Sequence, residues 1–232
     1  MLLAPLRAER AADIARIHVA AIGGQQRIDG LTALRMTGVV DAGDAVVRVT
    51  LLAARPSRVR VESWLGTRRV LQGADGTAPP WQWEPAVGAT TLPAAAAERL
   101  LADAEFDDPL VRWEERGYRL QFAGEADFEG RKLLRVLVAR KVSENIFILL
   151  DPQTYFIAWR VQTLTRGAAP VEWLTRYDDY RPVAGVLLAH RVTVFENGRR
   201  SQEARFTAVE PNPPLEARAF EPPGGNEERP SR

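Results

Sequence analysis

Cysteine is absent from the 232 residues. Its absence removes disulfides, thiolate chemistry and cysteine-ligated metal centres, and leaves the redox compartment open. Histidine is almost as scarce: His18 and His190 are the only two. Each falls on an apolar face, so each reads as a partly buried core or wall histidine. An excess of either charge is missing too. Lys+Arg is 31 against Asp+Glu 30, a net charge of +1, so no overall field attracts a polyanion. The local clusters Arg68-Arg69 and Arg199-Arg200 read as solvated strand edges, and nucleic acid is not an expected partner. No apolar run reaches the roughly 20 residues a bilayer-spanning helix needs. Gly-x-Ser-x-Gly, P-loop and His-Glu-x-x-His motifs are all lacking. The acidic pairs Asp107-Asp108, Glu114-Glu115 and Asp178-Asp179 are neighbours, and adjacent strand residues face opposite ways. They are expected to be exposed charges. On these grounds no catalytic residue, metal or cofactor is assigned, and the chain is not expected to be an enzyme.

What is present is a globular composition, 46% hydrophobic and 26% charged, enough for a sizeable core. Its clearest pattern runs from Ala45 to Pro85. Val47, Val49, Leu51 and Ala53 alternate with polar neighbours and share a parity with Arg55. After Pro56 a second alternating run carries Val59, Val61 and Leu65 against Arg58, Arg60 and Glu62. Period two means a strand with one apolar and one wetter face. Asp75-Gly76 then turns the chain into Trp81-Gln82-Trp83.

The remainder supplies more strands and two helices. Residues Ala8 to Ile22 place Ile14, Ile17, His18, Ala21 and Ile22 on one stripe, stopped by Gly23-Gly24. A second helix spans Thr91 to Ala104, with Thr90 or Thr91 as its cap and Pro93 in its first turn. Its apolar side is thin, as suits a lid or crossover. Further on, Tyr118, Leu120 and Phe122 alternate. Tyr155, Ile157, Trp159 and Val161 are expected to share one face, as are Val171, Trp173, Thr175 and Tyr177. Asp151-Pro152-Gln153-Thr154 is a turn, and Asn197-Gly198 is the strongest hairpin signal. About ten strands with such turn spacing predict an antiparallel sandwich or barrel. No repeat and no long linker divides the chain.

Several of these segments, in this order, resemble the LolA-like periplasmic lipoprotein carriers, the outer-membrane lipoprotein-sorting family. They are the N-terminal helix, the strand ending in Arg55-Pro56, the run from Arg58, and Asp75-Gly76 before Trp81 and Trp83. Tyr177-Asp178-Asp179-Tyr180-Arg181-Pro182 and Phe220-Glu221-Pro222-Pro223-Gly224 complete the likeness. The resemblance implies a mainly β (α+β) fold: a strongly curved antiparallel sheet forming an incomplete β-barrel, closed by the N-terminal helix and a lid helix. It implies one domain over residues 9–220, after a possible signal-peptide remnant at 1–8 and before a flexible tail at 221–232. It also implies a periplasmic location.

The same resemblance implies an apolar cavity for lipid or lipoprotein acyl chains. Its wall and lid would be Val47, Val49, Leu51, Val59, Val61, Trp64, Trp81, Trp83, Leu100 and Leu101, with Arg55 at the rim. Valine at 59 and 61 departs from the bulkier residues of the family, and Arg58 and Arg60 are unusually basic for that strand. The expected role is a non-enzymatic carrier or chaperone, monomeric, whose other candidate partners are envelope membrane proteins. The alternative is a protein-interaction or envelope-sensing module on the same fold.

Overall fold

The computed structural model describes residues 3–140, 145–166 and 169–224. Part of the leader expectation (residues 1 and 2) and most of the tail expectation (residues 225–232) fall outside them. In chain order the elements begin with α1 (Leu3–Ala21), α2 (Gln25–Gly30), β1 (Ala33–Asp41), β2 (Val46–Ala54), β3 (Arg58–Leu65) and β4 (Arg68–Ala74). Next come β5 (Trp81–Glu84), β6 (Gly88–Thr91), α3 (Ala94–Asp103), β7 (Arg119–Phe128), β8 (Arg131–Ala139) and β9 (Asn145–Leu150). The last four are β10 (Ile157–Arg166), β11 (Ala169–Val183), β12 (Val186–Glu196) and β13 (Arg199–Pro211). The class is mainly β with antiparallel pairing, as expected. Among the described residues there are thirteen strands, more than the ten or so read from the turns, because short strands such as β6 carry no alternation.

The chain resolves into two compact units. One is Met1–Asp29 with Asp107–Glu203; the other is Gly30–Phe106 with Ala204–Arg232. Strand β13 begins in the first and ends in the second.

In the first unit the strands are ordered β13-β12-β11-β10-β9-β8-β7. Helix α1 lays Ala11, Ile14 and Ala15 on Leu120, Phe122, Leu134, Val136, Val138, Ile146, Ile148 and Leu150. The expected stripe shifts by part of a turn: Ile17 is 43% exposed, while Ala11 and Ala15 are buried. Gly23 and Gly24 end the helix at φ 134° and 88°, and the Gly24 N–H closes on the Val19 carbonyl at 2.8 Å.

The other face of this sheet holds Leu133, Leu149, Ala158, Trp159 and Leu174. Phe128 and Phe195 flank Trp159 at ring distances of 4.9 and 5.6 Å. This corrects one expectation. Tyr155 and Ile157 join the α1 side, whereas Trp159 and Val161 join the other. The β9–β10 register shifts between Ile157 and Trp159, and a bulge of one residue reverses the facing of all that follows.

In the second unit the order is β6-β5-β4-β3-β2-β1-β13. Helix α3 packs on one face of β3 and β4. The opposite face is covered near Ala33 and Ala54 by Phe220, whose carbonyl accepts the Trp81 indole N–H at 2.9 Å. Phe220 therefore belongs to the core, and the chain stays anchored up to that point. The cap expected from Thr90 or Thr91 is not formed. Both threonines pair in β6 with Gln82 and Trp81, and Pro93 precedes the helix with no side-chain cap.

Candidate functional site

All eleven residues expected to line a cavity lie in the second unit, ten on β2 to β5 and α3 and Arg55 in the turn between β2 and β3. Residues directly opposite in an antiparallel ladder share a face, so the registers sort them. Leu51 opposes Val61, which opposes Gln72; Ala53 opposes Val59, which opposes Ala74. On the same face come Val49, Ser63 and Val70, then Leu65 opposite Arg68. Helix α3 covers the upper part of this face. Leu92, Leu100 and Ala104 bury Val59 and Ala74, with Ala96, Ala97, Leu51 and Val61 half-buried alongside. Leu101 points elsewhere and is 44% exposed. Below the helix the same face opens into a depression of about 300 Å³, lined by Val47, Ser63, Leu65, Arg68, Val70, Gln82 and Glu84. Arg68 and Glu84 pair across it at 3.0 Å.

The three tryptophans occupy the other side. Trp64 opposes Arg69 and Arg48, Trp83 opposes Leu71, and Trp81 opposes Gly73. Gly73 is glycine for a visible reason, since a Cβ there would sit 2.4 Å from the Trp81 ring. Arg69 and Arg48 stand over the Trp64 ring at 5.4 and 6.0 Å, and Glu62 accepts from both Trp64 Nε1 and Arg69 Nε. The structure thus brings Val47, Val49, Leu51, Val59, Val61 and Leu100 to one face, and sets Trp64, Trp81 and Trp83 on the reverse. Parity in β3 carries this for Trp64, whose even number separates it from Val59 and Val61. For Trp81 and Trp83 the β4–β5 register was needed.

Arg55 follows β2 in the turn. Its N–H donates to the Thr32 carbonyl at 3.0 Å, and its guanidinium stands 4.8 Å from the ring of Phe106, just beyond α3. The Asp75 turn is built as its sequence suggests. Its carboxylate accepts the N–H groups of Ala78 and Thr77, which hold it below the ordinary carboxylate range.

The first unit contains a pair that sequence reasoning missed. His18, at 1% exposure, places Nδ1 2.7 Å from the Tyr155 carbonyl and Nε2 3.1 Å from Asp108 Oδ2. Both partners are acceptors, so an imidazolium donating at both nitrogens fits, and a neutral ring would set a lone pair against one oxygen. Burial pulls the His18 pKa down, but the Asp108 charge, its hydrogen bond and the Tyr155 carbonyl outweigh it, and the net shift is upward. Burial works in the opposite sense on Asp108. It is outweighed by His18, the Leu110 N–H and Arg116, so that carboxyl is lowered. Asp108 is therefore not the exposed charge expected of it. Its loop is bound further by Arg116, which donates to the carbonyls of Asp107, Asp108 and Val111. The other histidine, His190, is buried with Nδ1 2.9 Å from the Leu188 carbonyl. Among the described residues no group of His, Asp and Glu is arranged to hold a metal ion.

The sequence matches no protein-family model and no curated protein. Its fold does match solved structures. A domain described as an outer membrane lipoprotein-sorting protein, from Vibrio parahaemolyticus, shares 14% identity over 92% of this chain and 97% of its own, with a TM-score of 0.57. A DUF1329-family protein from Desulfovibrio piger superposes at TM-score 0.61 with 9% identity, over 93% and 97%. A LolA-superfamily protein from Nitrosomonas europaea gives 0.52 with 11% identity, over 95% and 98%. The chain therefore has the fold of LolA-superfamily structures.

Proposed function

We propose that this protein is a non-enzymatic periplasmic carrier that shelters acyl chains, from a lipoprotein or another lipid, beneath α3. The observation that supports the reading is the way α3 sits on its sheet. One buried leucine, Leu100, and a set of alanines rest on Leu51, Val59, Val61 and Ala74, with no side-chain cap at the helix start. Such a contact is cheap to open. Lifting the helix would expose a continuous aliphatic face running down to Val49 and Val47. Each methylene an acyl chain buried there would contribute about 0.8 kcal/mol, so one chain could replace the helix contact. Arg55 and Phe106 hold the segment after α3 and are assigned as its rim. Trp64, Trp81 and Trp83, on the reverse face, would support the wall without touching the cargo.

The test is native mass spectrometry of protein purified without detergent, with uptake of a fluorescent fatty acid measured in parallel. Co-purifying lipid and saturable uptake are expected, and Val61→Trp, which fills the space beneath α3, should reduce uptake. Absence of both lipid and uptake overturns the proposal. A stable protein partner in that case would favour the interaction-module reading.

A further inference from the structure

The face of β2 to β4 turned away from α3 is rich in arginine. Arg48 on β2, Arg58 and Arg60 on β3 and Arg69 on β4 share it, because Arg48 opposes Trp64, Trp64 opposes Arg69, and Arg58 and Arg60 keep the parity of Trp64. Arg69 is neutralised by Glu62 at 2.7 Å. The other three are bound differently. Arg60 donates to the Ala219 carbonyl and Arg58 stands over the Phe220 ring at 5.0 Å, both half-buried at the edge of the segment that covers this end of the face, while Arg48 is exposed and faces Trp64. None of the three forms an ion pair with a described residue. Their charge is local in a chain whose net charge is only +1, so it is not a by-product of basic composition. Beside Arg48, on the same strand and parity, Val46 is 62% exposed, and Trp64 is half-buried with its indole among the cations.

Uncompensated arginines combined with an amphipathic indole and an exposed aliphatic suit one kind of surface. Guanidinium groups pair with phosphate oxygens. Tryptophan settles at the boundary between polar headgroups and hydrocarbon. We propose that this face docks on an anionic phospholipid bilayer, through Arg48, Arg58 and Arg60 with Trp64 and Val46 at the contact. The docking face is the reverse of the α3-covered face, so contact with the bilayer leaves α3 uncovered.

Flotation of the full chain with vesicles of phosphatidylcholine alone, and with one quarter phosphatidylglycerol, tests this directly. Binding is expected only to the anionic vesicles, and it should fall steeply between 0.05 and 1 M salt, where the screening length shrinks to about 3 Å. Each arginine lost should weaken binding about fivefold, so R48Q/R58Q/R60Q should bind about a hundredfold less. The variant R99Q/R119Q/R199Q removes the same charge from other exposed positions and should retain most of the binding. Equal binding to both vesicle types, no binding to either, or equal loss in the two triple variants overturns the proposal. The salt titration uses the unaltered chain, so it tests the docking even where a variant fails to fold.

Discussion

The two units cover similar antiparallel sheets with helices of different grip. In the first, α1 presents Ala11, Ile14, Ala15 and the buried His18 to a sheet face of large aliphatics, and several of those are wholly buried. In the second, α3 meets its sheet through Leu100 and small residues, and much of the contact is only half-buried. The first helix is also tied by an ion pair to a loop pinned by Arg116, whereas the segment after the second sets Phe106 against the Arg55 guanidinium. Buried area and fixed polar contacts set how far a helix can move. The looser contact is what the proposed lid role of α3 requires, and the tighter one suits α1 to a fixed place in its unit.

The comparison breaks most visibly under truncation. Leu150→Ala, beneath α1, should cost about 3–4 kcal/mol, because the packed sheet cannot close the void. Leu100→Ala should cost about 2 kcal/mol or less, since α3 can settle onto its alanines. Thermal melts would read the difference, at roughly 2–4 °C per kcal/mol for a chain of this size. Equal losses would remove the contrast.

The ion pair comes next. Asp108→Asn leaves a buried histidine facing a neutral amide and should cost about 3 kcal/mol. The effect depends on pH in a definite sense. His18 is raised from its ordinary 6.5, so its contribution is full below that value and is lost as pH rises through the folded-state value. Asp108 is lowered from 3.8, so its contribution is full above 3.8 and is lost only as pH falls through its folded-state value. The gap between the unaltered chain and Asp108→Asn should therefore be widest between those ordinary values and narrow as the pH rises above 6.5 through the folded-state value of His18. Melts at several pH values showing a constant gap would rule out an ionised pair.

The smallest effect belongs to the proposed lid. Arg55→Ala removes a cation–aromatic contact of about 1 kcal/mol. Amide exchange in α3 should quicken about fivefold while exchange in α1 is unchanged. Exchange that quickens equally in both would mean that Arg55 supports the fold rather than the lid.

Much of the sheet was legible from local chemistry. The alternation of Val47 to Ala53 and of Arg58 to Leu65 corresponds to β2 and β3, and Asn197-Gly198 turns at φ 49° and 75°, as the two-residue hairpin requires. The misreadings share a cause. Thr90 and Thr91 are good caps in isolation, but strand pairing with β5 claimed them. Ile157 and Trp159 have one parity in the sequence and opposite faces in the sheet, because a bulge is a property of two strands. His18 and Asp108 are 90 positions apart, and nothing local joins them.

For this protein, side-chain periodicity and turn chemistry were enough to establish an antiparallel β chain, its strand faces and the aliphatic row from Val47 to Val61. These depend on backbone geometry within a few residues. Which helix covers that row, which face Trp81 and Trp83 take and which carboxylate meets His18 were settled by packing. They follow from registers and contacts between distant segments, where burial and electrostatic pairing act through space and not along the chain.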